Sequence, residues 1–183
     1  MKRFFITLLL ACLTLGAFAQ KHFGLRMECA EYEENDQREY SLYSYTDEDG
    51  TFGYYLSIAY LSQPLSISLS DRLSSTISRI DEINLFLGKE PDEVYASLNE
   101  LLSLLGEAPG TTQEFEGRTT LGAEALAPGT VTTRCTVVKR ALEGKRLCFV
   151  FPSGDRIVEA DLTKAAIKSL RSGFKFHQKI YKK

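Results

Sequence analysis

The chain has no tryptophan, only two histidines, four cysteines and five prolines among its 183 residues. Each scarcity narrows the chemistry. His22 and His177 lie near opposite ends of the chain, so a histidine triad or histidine metal site lacks rigid neighbouring partners. No cysteines form a Cys-x-x-Cys pair, which removes the usual redox and zinc signatures. Gly-x-Ser-x-Gly, His-Glu-x-x-His and the phosphate-cradling Gly-x-x-x-x-Gly-Lys are absent too, and Gly88-Lys89 reads as an ordinary strand-to-helix loop. The lack of tryptophan weakens any sugar-stacking reading. No cofactor and no metal are expected.

What is present begins with an export signal. Lys2 and Arg3 make a positive start, Phe4 to Leu15 an apolar stretch, and Ala17-Phe18-Ala19 the small residues a signal peptidase requires. Residues 1–19 are therefore expected to be a cleaved secretory signal peptide, and residues 20–183 a single α+β domain with a basic C-terminal tail at 173–183. The apolar stretch is shorter than the ~20 residues a membrane helix needs, and no second one follows, so no transmembrane segment is expected. The expected compartment is periplasmic or extracellular. An alternative is lipid anchoring through Cys12, because Leu9-Leu10-Ala11-Cys12 resembles a lipobox. Losing two positive charges and no acid takes the net charge from −2 to −4. That balance gives no electrostatic reason for nucleic-acid binding.

Charge is uneven along the chain. Nine acids and only Arg38 lie between Glu28 and Asp49, whereas no acid follows Asp161 and seven Lys or Arg residues do. One reading is a solvated acidic edge and a solvated basic helix; the other is a basic C-terminal patch that meets anionic lipid or an acidic partner.

Hydrophobic spacing outlines the fold. Loose alternation in Phe23–Glu33 suggests a first strand. Tyr40–Tyr45 and Phe52–Tyr60 flank Asp47-Glu48-Asp49-Gly50, a strong hairpin signal. Leu65–Leu69 alternates perfectly and predicts a separate short strand after Pro64; residues 71–87 split between a possible helix and an extended half. Val94, Leu98, Leu101, Leu102 and Leu105 form one apolar stripe behind Pro91, closed by Gly106, and predict a helix. A weak strand near Thr111–Thr119 and a hairpin of Val131–Val138 with Arg146–Phe151 follow. A last helix capped by Asp161 is expected to end at Gly173. The fold class that results is α+β: a mainly antiparallel β-sheet with two amphipathic helices packed on one face.

Three cysteines survive processing, and Cys135 with Cys148 on facing strands is the expected disulfide; three buried free thiols are the alternative. Ser172-x-x-Lys175 matches a serine–lysine pair, but at an expected helix end the geometry is wrong. The Asp47–Asp49 tip has the close acids of a calcium loop without its remaining ligands. Glu28, Glu31, Glu33 and Asp36 could supply paired carboxylates only by count. Tyrosine clustering is the one oddity, with seven of nine between Tyr32 and Tyr60. Tyr43, Tyr45, Tyr54 and Tyr55 are the candidate partner surface, against ordinary cross-strand aromatic packing. The expected function is an exported, non-catalytic binding or structural module whose partner is a protein or envelope component. The rivals are a small hydrolase with a carboxylate or serine site, and a carrier with an apolar cavity under Leu98 and Leu102.

Overall fold

The computed structural model describes residues 24–35, 38–69, 73–121, 125–141, 143–153 and 156–181; the expected signal lies outside them. In chain order the elements are β1 (Leu25–Asn35), β2 (Arg38–Thr46), β3 (Phe52–Leu69), β4 (Leu73–Gly88), α1 (Pro91–Leu104), β5 (Thr112–Leu121), β6 (Ala125–Leu126), β7 (Val131–Arg140), β8 (Gly144–Ser153), β9 (Arg156–Thr163) and α2 (Lys164–Tyr181). The strands build one antiparallel sheet in the order β1-β2-β3-β4-β5-β7-β8-β9, with the short β6 paired to β5. Sequential antiparallel neighbours need only turns between them. That is why Asp47–Gly50 suffices as the connection between β2 and β3, with Gly50 at φ 85° where a side chain would strain the backbone.

Alternation along the strands sends one set of side chains into a shared core. Leu42, Leu56, Ile58, Ile83, Leu85, Val137, Leu147, Phe149 and Leu162 are all buried there. Val94, Leu98, Leu101 and Leu104 of α1 join the same cluster, as do Ala166, Ile167, Leu170 and Phe174 of α2. Side chains of this size stabilise by about 1.5–3 kcal/mol each when fully removed from water. The start of α1 is tied down by Glu93, whose carboxylate accepts the Lys89 and Glu90 N–H groups at 2.6 and 3.1 Å. Those bonds hold its pKa below the ordinary carboxylate value.

The curled sheet brings its two ends within side-chain reach. Tyr40 on β2 donates to the Asp161 carbonyl on β9 at 2.8 Å. Arg146 on β8 grips both carboxylate oxygens of Glu34 on β1 at 3.1 and 3.3 Å. Arg38 and Arg140 add contacts to Asp161 at 3.9 and 3.3 Å, and Glu143 closes on Arg146 Nε at 2.9 Å. Three cations and three acids thus alternate across the seam.

Three sequence expectations about the elements need correction, and one open segment is resolved. Leu65–Leu69 is not a separate strand: β3 runs through Pro64, which sits at a register shift between Ser62 and Leu65 where no ladder donor is needed. Residues 73–80, which the sequence leaves open between helix and strand, are extended and pair with β3 as far as Leu69 opposite Leu73. Asp161 does not cap α2; it lies in β9, and Thr163 Oγ1 accepts the Ala166 N–H at 3.1 Å instead. Gly173 does not end the helix, so the expected tail is helical to Tyr181. The glycine is there because α2 crosses β1 at that point, where a Cβ would stand 2.8 Å from that of Ala30.

Cys135 and Cys148, the expected disulfide pair, are not bridged in the structure. Cys135 stands opposite Phe149, and Cys148 opposite Thr136. The two thiols therefore face opposite sides of the sheet. Cys29, Cys135 and Cys148 are free and buried, and burial pushes the Cys135 thiol up to about 12 and that of Cys148 to about 11. Reduction should leave the melting temperature unchanged. Alkylation near neutral pH should label these three thiols only after denaturation; a mobility shift on reduction in a non-reducing gel would contradict this.

Candidate functional site

Alternation splits the tyrosines of the first hairpin. Tyr40 and Tyr54 join the main core side, where Tyr54 packs edge-on to Phe174 at 5.4 Å between centroids. Tyr43, Tyr45 and Tyr55 point to the other face and form a second, smaller cluster with Leu126. In-register pairing places Tyr43 opposite Tyr55, and their rings stack at 5.9 Å; Tyr45 meets Tyr55 edge-on at 6.4 Å. Of the four tyrosines expected to form one surface, the structure thus brings three together and sends Tyr54 elsewhere.

These three rings are not an exposed patch. They are 0%, 3% and 7% accessible, with an arginine of the neighbouring β1 and another of the distant β5 lying over them. The Arg26 guanidinium of β1 lies 3.9 Å from the Tyr43 ring centroid, and Arg118 of β5 lies 5.7 Å from that of Tyr45. Cross-strand packing is what the cluster does first.

Each arginine is held by an acid and by hydroxyl or carbonyl groups. Arg118 takes Asp47 in a two-pronged pair and donates from Nε to the Ala127 carbonyl at 2.9 Å. The hydrogen bond to Asp47, against the cost of burial, raises the guanidinium pKa above its ordinary value. Arg26 donates to Glu28 at 2.7 Å and to Ser41 at 2.9 Å, and approaches Glu82 to 3.5 Å. Glu82 also accepts the hydroxyls of Ser57 and Thr120. Beside it, Tyr43 donates to Asn84 Oδ1 at 2.7 Å, and the Asn84 amide reaches Thr120 and the Arg118 carbonyl. Nothing local in the sequence announces this layer: its partners are separated by as many as 71 residues.

A cleft of about 660 Å³ opens where this layer meets the hairpin tip. Tyr45, Tyr55, Arg118 and Leu126 line it together with the turn acids Asp47, Glu48 and Asp49 and with Pro128, Gly129 and Thr130 of the loop before β7. The turn is well formed: Asp47 N–H bonds the Thr51 carbonyl at 2.8 Å, and Asp49 Oδ1 accepts the Thr51 N–H at 2.8 Å. The Thr51 bonds to its carboxylate lower the pKa of Asp49. Asp47 is committed to Arg118, and among the described residues no group of three or more His, Cys, Asp or Glu side chains is placed to hold a metal. Asp36 lies outside the described residues. Glu28, Glu31 and Glu33 share β1, with Glu28 engaged by Arg26. Ser172 and Lys175 sit mid-helix in α2, away from a helix start.

Burial keeps the Tyr43 and Tyr40 hydroxyls protonated well above the ordinary value of 10, with the Glu34 charge adding to the effect at Tyr40. A raised folded-state pKa contributes stability that is whole below pH 10 and is lost as pH climbs past it. Spectrophotometric titration should therefore show Tyr40 and Tyr43 silent in the native protein until alkaline unfolding, whereas both should ionise near pH 10 in urea. Smooth titration of every tyrosine near pH 10 without unfolding would contradict this.

Comparison with protein families, curated proteins and solved structures finds no match. The α+β assignment therefore rests on the antiparallel sheet and the two helices among the described residues. Among the described residues no helix is long and apolar enough to cross a membrane.

Proposed function

We propose that the protein is an exported, non-catalytic binding module that holds a segment of another protein of the cell envelope in the cleft at the tip of its first hairpin. In this reading both helices, each apolar along one side, cover a single face of the sheet and leave the tyrosine–arginine face free for recognition. The observation that supports it is a cleft whose floor is already rigid. Tyr45 and Tyr55 are packed and Arg118 is clamped by Asp47, whereas the rim residues Glu48, Asp49, Thr51, Pro128, Gly129 and Thr130 are exposed. A pre-ordered floor loses little entropy on binding. The acidic tip suits a basic side chain of the partner, and Tyr, Leu126 and Pro128 suit the apolar part of the same segment. Arg26, Arg118 and Glu82 are tied into ion pairs and hydroxyl contacts, which favours support over proton transfer.

Export is proposed from the sequence of residues 1–19 alone. The site is tested by quantitative capture from envelope extract with the native protein, with Glu48→Lys and with Thr130→Trp. Glu48 and Thr130 lie outside the buried layer, so both variants should keep the native melt. Each should lose the same captured partner by roughly tenfold, as expected for a rim charge reversal or a blocked pocket. Equal recovery by all three baits would remove the cleft from the proposal.

A further inference from the structure

A second surface, independent of the cleft, is carried by α2. Its buried side is Ala166, Ile167, Leu170 and Phe174. Lys164, Lys168, Arg171, Lys175 and Lys179 follow one another at intervals of four, three, four and four residues, all exposed. That spacing draws a single basic stripe roughly 22 Å long at 1.5 Å per residue. The helix contains no acid. Among the described residues no carboxylate lies within ion-pair distance of any of these five cations, whereas Arg26, Arg38, Arg118, Arg140 and Arg146 all have one.

Two further features distinguish the stripe from a merely solvated face. Lys168, Arg171 and Lys175 border a cleft of about 510 Å³ shared with Ser172 and with Tyr95 of α1. Phe176 and Ile180, one turn apart on the flank of the stripe, are 67% and 50% exposed. A soluble polyanion would satisfy the cations and leave these side chains in water. The interface of an anionic bilayer satisfies both, since phosphate headgroups meet the cations while the acyl boundary accepts a phenylalanine and an isoleucine at the same depth.

We infer that the exposed side of α2 docks the protein on the surface of a bilayer containing anionic phospholipid, with a lipid phosphate seated between Lys168, Arg171, Lys175 and the Tyr95 and Ser172 hydroxyls. The basic stripe supplies attraction that salt weakens; Phe176 and Ile180 supply the part that salt does not.

Cosedimentation with vesicles of phosphatidylcholine, alone or mixed with phosphatidylglycerol, at low and high salt tests this. The protein should pellet with the anionic vesicles and not with the neutral ones. Lys168→Glu combined with Arg171→Glu and Lys175→Glu should lower partitioning by more than roughly tenfold, given the contribution of each cation near such a surface. Phe176→Ser with Ile180→Ser should lower what persists at high salt. Circular dichroism melts establish that each variant is folded, and the serine pair tests the surface separately from the charge reversals. Equal partitioning onto neutral and anionic vesicles, or no loss in the charge-reversed protein, overturns the inference. Release by soluble glycerol phosphate at matched phosphate concentration would assign the groove to a free phosphate ester and overturn the bilayer.

Discussion

Glu34→Leu is expected to cost about 3 kcal/mol of stability, a drop of roughly 6–12 °C in melting temperature, more than any surface substitution in this chain. The reason is the seam between the two ends of the sheet. Arg146 is nearly buried, its side chain 7% exposed, and its fork is closed on Glu34. Removing the acid leaves a desolvated guanidinium with only Glu143, which is much more exposed, to oppose it. Tyr40 and Arg38 lose their contacts to the same carboxylate. Arg146→Met alone is expected to cost less, because Glu34 keeps those two partners. The double variant, Glu34→Leu with Arg146→Met, is expected to be more stable than Glu34→Leu, since no buried charge is then left unpaired. Urea unfolding of the four proteins measures this cycle. Additive losses would mean that the pair is solvated and that the sheet ends are held by packing alone.

The second large effect is at Gly173. Gly173→Ala gains about 1 kcal/mol of helix propensity, yet its new methyl would stand 2.8 Å from the Ala30 Cβ. Overpacking of that kind costs about 1–3 kcal/mol, and Gly173→Val should exceed it. A net loss is therefore expected for alanine, with recovery on adding Ala30→Gly in the same chain. If Gly173 were the helix end that its sequence position suggests, Ala30→Gly would give nothing back. Thermal melts of the two single variants and the double distinguish the cases.

Gly173 also shows where local reading stops. A glycine in a basic, late helical pattern reads as a terminus because that is the commonest local role for glycine. Its actual role depends on β1, more than 140 residues earlier in the chain and invisible to any window. The same holds for Cys135 and Cys148. Their strands were legible from β-branched and aromatic runs, but a register offset of one residue reverses which faces they share. The first hairpin was the most legible element, since Asp-Gly between two aromatic runs specifies both strands and turn. Even the face assignment of Tyr43 and Tyr45 against Tyr40 and Leu42 follows from alternation and agrees with the structure.

What alternation cannot reveal is what covers a face. Tyr43, Tyr45 and Tyr55 look like a contact surface until Arg26 and Arg118 arrive from β1 and β5, and Leu126 from β6. β5 has too little apolar patterning for Arg118 to stand out. Ion pairing with Asp47 across the sheet is what turns an ordinary basic residue into the floor of a cleft. The candidate site is thus a property of topology: the hairpin supplies rings and acids, and the adjacent β1 and the distant β5 each supply a cation over them.

Site-specific photocrosslinking addresses the functional proposal most directly. A photoreactive side chain at Thr130, on the rim of the cleft, should yield one predominant partner adduct in the envelope, and Glu48→Lys in the same protein should abolish it. The same probe at exposed Lys139, on β7 and not among the cleft residues, should yield none. Identical adducts from both positions, or an adduct at Thr130 indifferent to Glu48→Lys, would contradict recognition through the hairpin-tip cleft.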